Sequence, residues 1–449
     1  MKNVKKRVMF DQKELTLLIV PLAAEQILFA SIGIADMLMV AAAGEQSVSA
    51  ISLVDSLNLL FHSIFSALAA GGGILFTQYF GRQDYENANY AAKHLIAAAI
   101  LLSTVIAGIC FVSNRALLRL LYGTAEPEVL SLSVTYFYLA LAAYPMVMLY
   151  DTCACLFRGM GNTRISLCGA AVSCFSNILL NAVFIYGLGL GVFGAGLASL
   201  LAKTGGALLM VLFLVINKSS IRMQRFFHTG WNKKIFVGIL RLAVPIGLED
   251  SIFHIGKLLV QGVVASFGTT AIAANAVALT ISEFTHMAGG AMGLAATTVV
   301  GQCMGAGESK QAEIYTRTLL AVSWLVTFFI CLSTYLAAGP ITEMYHLSVE
   351  TASIAKQIIR LHAVACTVTW VLAFNIPSAL RAASDVKYIL AVSVISMWVF
   401  RVGCSYLFRE ILDAGVICVW LAMFLDWGFR AVVYVRRFRS GKWKTKTFI

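Results

Sequence analysis

The sequence predicts an all-α integral membrane protein, with twelve transmembrane helices in two pseudo-symmetric six-helix bundles. Composition is the first reason. The 449 residues are 59% hydrophobic and only 12% charged, with a mean hydropathy of +0.83, whereas soluble domains carry about 25% charged residues. At about 20 apolar residues per crossing, this length accommodates roughly ten to twelve spans and no appended soluble domain. The other two reasons are an alternation of charge between successive loops and an internal repeat.

Apolar runs of spanning length lie at 14–42, 48–80, 89–113, 129–156, 163–187, 192–216, 235–266, 271–304, 312–338, 350–376, 386–408 and 413–435. Lysine and arginine collect in alternate connections: Arg82 and Lys93; Arg158 and Arg164; Lys218 to Lys234; Lys310 and Arg317; Arg381 and Lys387. Between them, 44–47, 187–191 and 267–270 carry none, and only Arg115, Arg119 and Arg409 depart from the pattern. The charges played no part in locating the runs, so the agreement supports twelve crossings with the basic loops inside. Both termini are basic, through Lys2, Lys5, Lys6, Arg7 and Lys13 at one end and Arg436 to Lys446 at the other. The N-terminal run lacks a small-residue cleavage site, so it is read as a cytoplasmic end and not a signal peptide. Two cytoplasmic ends require an even number of crossings in a multi-pass plasma-membrane protein. The net charge of +12 then reflects topology and attraction to the anionic inner leaflet, not nucleic-acid binding.

Residues 217–234 form the longest polar stretch and divide the chain into an N-terminal lobe (1–216) and a C-terminal lobe (235–449) with a basic tail. The lobes resemble each other. A shift of 224 places Pro21, Glu25 and Phe29 over Pro245, Glu249 and Phe253, then Gly44 over Gly268, His62 over His286, and Gln78, Gly81 and Ala88 over Gln302, Gly305 and Ala312, with no gap. Six crossings restore orientation, so this is a parallel repeat about an axis along the membrane normal, an architecture that holds substrate between repeats.

Asp36 stands in the middle of the first apolar run. A carboxylate there costs roughly 2.5 to 3.5 kcal/mol on insertion scales, so it should face a cavity, an ion or a partner. Its repeat mate is Val260, which argues against a mere folding role because the duplicated helix packs without an acid. Asn177 and Asn181 are four apart and share a face of the fifth helix. With Asp36 and with Ser199 of the sixth helix, they could supply hard oxygen ligands for sodium or tune a proton-binding carboxylate; the alternative is interhelical polar contact. Glu25 and Glu249 occupy matching positions; Glu249 either pairs with Lys257 on the same face, a structural role, or stays free as a cation site, the reading favoured here because its repeat mate is also an acid. Glu249, Glu25, Asp55, Glu283, His286, Met287 and Phe253 are the candidate substrate residues; an acid among aromatic and methionine walls suits lipophilic cations. Asp426 is a further intramembrane acid.

The ten cysteines fall almost entirely in apolar runs, and Cys153 and Cys155 do not form a CxxC motif; neither zinc nor disulfides are expected. No Walker A motif is present, and Gly71-Gly72-Gly73 lies in a hydrophobic helix where close packing explains it. Without an ATP site or a nucleophile-base constellation, the expectation is a non-enzyme driven by an ion gradient, with no cofactor beyond H+ or Na+.

At these residues the chain resembles the multidrug and toxic compound extrusion (MATE) transporters. The resemblance covers essentially the whole chain. It is carried by Pro21 with Asp36, by Gln78 to Gly81, and by Leu156-Phe157-Arg158-Gly159-Met160-Gly161-Asn162-Thr163. Asn177 to Asn181 followed by Gly194-Ala195-Gly196, and Pro245 to Gly268 with Gln302 to Gly305, complete it. It implies a V-shaped pair of six-helix lobes and export of organic cations or drugs in exchange for sodium or protons by a monomer. Asp36 matches the family's coupling aspartate, and Asn177, Asn181 and Ser199 stand where the N-lobe cation site draws its other ligands. Asp36, Asn177 and Asn181 would be metal ligands only in a sodium-coupled protein. Some members carry an aspartate at the place of Asn181, so the single-acid site here favours protons. Glu249 stands near a seventh-helix glutamate on which other members rely. Two other readings are a lipid-linked flippase of the wider superfamily, which needs a basic central cavity, and a non-transporting structural membrane protein.

Overall fold

The structure is a computed structural model that describes residues 9–123, 125–216, 232–345 and 347–446. The N-terminal run Lys2 to Arg7 and most of the expected linker lie outside them. Among the described residues all regular structure is helical. Twelve long rods follow one another: α1 Gln12–Ala41, α2 Glu45–Gly81, α3 Tyr85–Tyr122, α4 Pro127–Gly159, α5 Thr163–Gly187, α6 Gly191–Ile216, α7 Lys233–Ala265, α8 Thr269–Gly305, α9 Ser309–Leu336, α10 Val349–Ala382, α11 Val386–Ile411 and α12 Ile417–Arg439. Ten are long and apolar enough to cross a membrane. The other two have the length, at 33 and 37 residues, but α7 is punctuated by Arg241, Glu249, Asp250 and Lys257, and α8 is diluted by glycine, threonine, Asn275, Glu283 and His286. A short helix, Ala338–Met344, follows α9 and was not foreseen.

The rods exceed the apolar runs because their polar ends continue beyond the hydrocarbon and are capped. The Asp84 side chain accepts from the backbone N–H of Asn87 at the start of α3, and Ser348 does the same for Thr351 at the start of α10. Pro127 occupies the first turn of α4, where its missing N–H is harmless.

The repeat is visible in the helices. α2 and α8 are both 37 residues long and are offset by 224 at both ends (269 − 45 and 305 − 81). Gly44 and Gly268 precede them with φ of 102° and 89°, backbone that glycine adopts without a Cβ penalty. The symmetry is incomplete. α3 runs unbroken to Tyr122, whereas α9 stops at Leu336 and restarts at Ala338. Wide π turns occur at Ala182–Gly187 in α5, Cys366–Trp370 in α10 and Ser396–Gly403 in α11; such turns re-aim side chains and recur at functional sites.

Packing divides the chain into two compact units, Lys13–Gly247 and Leu248–Ile449 with Met1–Gln12. In the first unit, small residues bring helices close in the absence of a hydrophobic drive between them. A Cβ on Gly71 would lie 2.5 Å from the backbone nitrogen of Ala243, one on Gly72 would collide with Leu95, and one on Gly73 with Cys155. The three glycines thus admit α7, α3 and α4 on different sides of α2. The contact with Ala243, and that of Gly247 with Ala67, attach the start of α7 to this unit.

In the second unit, Trp370, Trp420, Trp427 and Met423 anchor an apolar core against which Val260 packs. The chain before α1 joins this unit: Met9 N donates to Gln311 Oε1 at 3.0 Å and Phe10 N to Tyr315 Oη at 3.0 Å. Part of the basic tail is also used internally, since Arg437 forms a two-point pair with Asp385 at 2.7 and 3.0 Å and Lys444 Nζ reaches Glu313 at 2.5 Å.

Replacing Gly71 with Val should lower stability by about 1 to 3 kcal/mol, the usual cost of overpacking, measured as an earlier thermal unfolding midpoint in detergent. The same change at Gly108, where a Cβ meets nothing within 4 Å, should leave the midpoint in place.

Candidate cation-coupling site

The first unit brings the sequence-predicted residues together. The amide of Asn181 donates one hydrogen to Asp36 Oδ1 at 2.6 Å and the other to Asn177 Oδ1 at 3.2 Å. Asn177 in turn donates to Ser199 Oγ at 3.2 Å. The i, i+4 spacing on α5 makes this possible, and the π turn begins at Ala182, immediately after Asn181. Both asparagines are buried, Asp36 is half-buried, and Asn181 Oδ1 is enclosed without a hydrogen-bond partner. A line of carboxylate, amides and hydroxyl therefore runs from α1 through α5 to α6, with one orphaned oxygen beside the acid.

A cavity of about 370 Å³ opens in the same unit, lined by Asp55, Asn58, His62, Phe65, Tyr144 and Lys203 among others. Asn58 links its polar wall, donating to Asp55 Oδ1 at 3.0 Å and accepting from Tyr144 Oη at 2.8 Å. His62 Nδ1 lies 3.7 Å from Asp151 Oδ2. Lys203 and Asp151 were missed in the sequence, although each is a charge inside an apolar run and the reasoning applied to Asp36 would have flagged both. Lys203 exerts an attractive charge interaction on Asp36, Asp55 and Asp151.

Several candidate substrate residues are already engaged. Glu25 Oε1 accepts from Arg158 at 3.1 Å and Ser166 at 2.8 Å. Its repeat mate Glu249 does the same with Arg381 at 2.8 Å and Ser393 at 2.7 Å. Of the two readings of Glu249, the ion pair is the one observed, but with Arg381 and not Lys257, whose Nζ sits 5.2 Å over the Phe253 ring. Arg401 and Arg430 also approach that ring, at 5.4 and 5.5 Å, so the π faces expected to meet a cationic substrate meet the protein's own cations. Asp426 is held by Arg430 at 2.8 Å, by Arg401 at 3.5 Å and by Ser396. His286 Nε2 lies 3.3 Å from His362 Nε2 and its ring stacks on Trp370. Glu283 is exposed on α8 and attracts Lys257, and Met287 is half-buried one position after His286.

The MatE family model matches residues 21–186 and again 245–407. The chain belongs to the MATE family. The two matches start 224 residues apart (245 − 21), the spacing of the repeat. Among curated relatives, the probable multidrug resistance protein YoeA of Bacillus subtilis is 23% identical over 388 residues, covering 84% of this chain and 82% of the relative. The probable multidrug resistance protein NorM of Thermotoga maritima is 21% identical over 445 residues, covering 98% and 94%. Among solved structures, a MATE in the bent conformation superposes with a TM-score of 0.88 at 19% identity, covering 96% and 95%. A MOP superfamily transporter from Pyrococcus furiosus, described as having a binding pocket of reverse polarity, gives 0.85 at 20% identity, covering 95% of each chain. The protein is thus a multi-pass membrane transporter of MATE fold.

The two Glu–Arg–Ser clusters are buried pairs, and breaking one should destabilise the chain. Arg158→Leu should cost about 3 kcal/mol because it leaves the Glu25 carboxylate without a counter-charge, and adding Glu25→Leu should restore part of that loss. Thermal unfolding of the two variants checks this.

Proposed function

We propose that this MATE transporter is a secondary antiporter that exports organic cations or drugs in exchange for protons, with sodium as the alternative coupling ion. The observation that carries the reading is the Asp36–Asn181–Asn177–Ser199 chain. The donor set fits either ion. Carboxylate, amide and hydroxyl oxygens suit a hard cation such as sodium, and a lone carboxylate can be neutralised by one proton. The single acid favours the proton, since the neighbouring amide leaves no second negative charge to hold a metal ion.

Neutralising Asp36 weakens the charge-assisted hydrogen bond from Asn181, which loosens α1 from α5. Pro21 interrupts the hydrogen bonding of α1, giving that helix a place to bend when its grip on α5 is released. Ion and drug then disfavour each other, as reciprocal coupling requires. The Asp55–Tyr144 cavity supplies an acid beside aromatic walls for a cationic substrate in the same unit. The charge pattern supports cytoplasmic termini in a plasma-membrane protein, and the reading takes the transport unit to be a monomer. The flippase reading draws on Lys257, Arg401 and Arg430 gathered around Phe253, a basic cluster that would attract an anionic headgroup.

Asp36→Asn should abolish drug resistance in a susceptible host while leaving expression intact; full resistance in that variant would sink the coupling role. Asn181→Asp, which adds a second carboxylate, should make efflux depend on sodium, and dependence unchanged from the parent would count against the single-acid argument. Binding of a cationic drug should strengthen as pH rises through the titration of Asp36 and lose that dependence in Asp36→Asn, read by fluorescence titration.

A further inference from the structure

We propose that His286, His362 and Cys366 form a binding site for a single soft d10 metal ion, zinc(II) or copper(I), inside the C-terminal unit. Their donor atoms all lie within 4.8 Å of one another. His362 and Cys366 are four apart on α10, so both face the same way, and Cys366 opens the π turn that continues to Trp370. His286 comes from α8. The sequence did not show the site because its ligands come from two helices and follow no short-spaced motif.

The distance between the imidazoles supports the assignment. The two Nε2 atoms are 3.3 Å apart. Two nitrogens bound to one tetrahedral ion at about 2.0 to 2.1 Å stand about 3.3 Å from each other. A hydrogen bond between two neutral imidazoles would account for that spacing alone, but not for a thiol within 4.8 Å of both. Imidazole and thiolate together are the ligands that zinc and copper(I) select.

The surroundings hold the donors in place. The His286 ring stacks on Trp370 at 4.7 Å and 5°, and Trp427 meets it edge-on at 5.7 Å. His362 is flanked edge-on by Trp420 at 5.8 Å and Trp427 at 5.7 Å. These rings fix both imidazoles and exclude water, as outer groups do around metal centres. His362 is 1% and Cys366 0% exposed. In such a place a complex with no net charge is the cheapest to bury. One thiolate with two neutral imidazoles makes copper(I) neutral. With the same three ligands zinc would keep a net positive charge, so copper(I) is the better fit to this buried place. The bound ion would tie α8 to α10 across the π turn.

The site is independent of the antiport reading and is tested without transport. Protein in detergent, chelator-stripped and reduced, is incubated with zinc(II), or anaerobically with copper(I), then desalted and its metal measured by inductively coupled plasma mass spectrometry. About one ion per chain should remain on the parent. Retention should be lost in Cys366→Ser and in His286→Phe, which keeps a ring against Trp370, and be unchanged in Cys168→Ser, whose thiol is exposed. A parent that retains no ion, or one that retains it equally in Cys366→Ser and His286→Phe, overturns the site. Should those variants fail to fold, X-ray absorption of the parent loaded anaerobically with copper(I) decides: one sulfur and two nitrogen neighbours support the site, and any other ligand set overturns it.

Discussion

In the hydrocarbon of a bilayer no water is available to satisfy a charge, so an ionised group must find its partner within the chain. The protein meets this demand with arginine for Glu25, Glu249 and Asp426, which pair with Arg158, Arg381 and Arg430. Asp36 is treated differently: its hydrogen-bond donor is the neutral amide of Asn181. Asp55, held by the neutral amide of Asn58, is treated likewise, so the difference separates the fixed charges of the fold from the acids suited to change state. Removing the charge of a paired acid strands an arginine; neutralising Asp36 strands none of its hydrogen-bond partners as a charge.

The same constraint organises the backbone. Helices satisfy their own polar groups, and the sequence reports them through uninterrupted apolar runs and through the side on which lysine and arginine accumulate. Twelve rods and their order were legible for that reason, as was the repeat, because Gly44 and Gly268 must both take a positive φ and both stand ahead of helices of equal length. The short helix that begins at Ala338 was not foreseen, although Gly339-Pro340 marks it: proline suits the first turn of a new helix and cannot continue an old one. The wide turns were hidden: Cys366–Trp370 and Ser396–Gly403 are apolar stretches like their neighbours, and an extra residue in a turn leaves no compositional trace.

At the candidate site, legibility followed the number of helices involved. Asn177 and Asn181 lie on one helix, so their shared face could be read directly, and Asp36 stood out as a lone acid. Which arginine answers Glu249 could not be read, because Arg381 lies on α10 and local spacing offered only Lys257 on the same helix. Lys203 and Asp151 carry the same mark as Asp36, a charge inside an apolar run, but their relation to His62 and Asp55 depends on how α4 and α6 pack on α2. The pairing of His286 with His362 depends on α8 crossing α10, a tertiary fact with no linear signature.

The claim that most depends on this account is that one carboxylate, Asp36, carries the coupling ion. It is tested most directly by dye efflux from proteoliposomes under proton and sodium gradients imposed separately, with parent protein and Asp36→Asn side by side. The account expects the parent to be driven by the proton gradient and the variant by neither. Equal efflux from both proteins under the same gradient would contradict it.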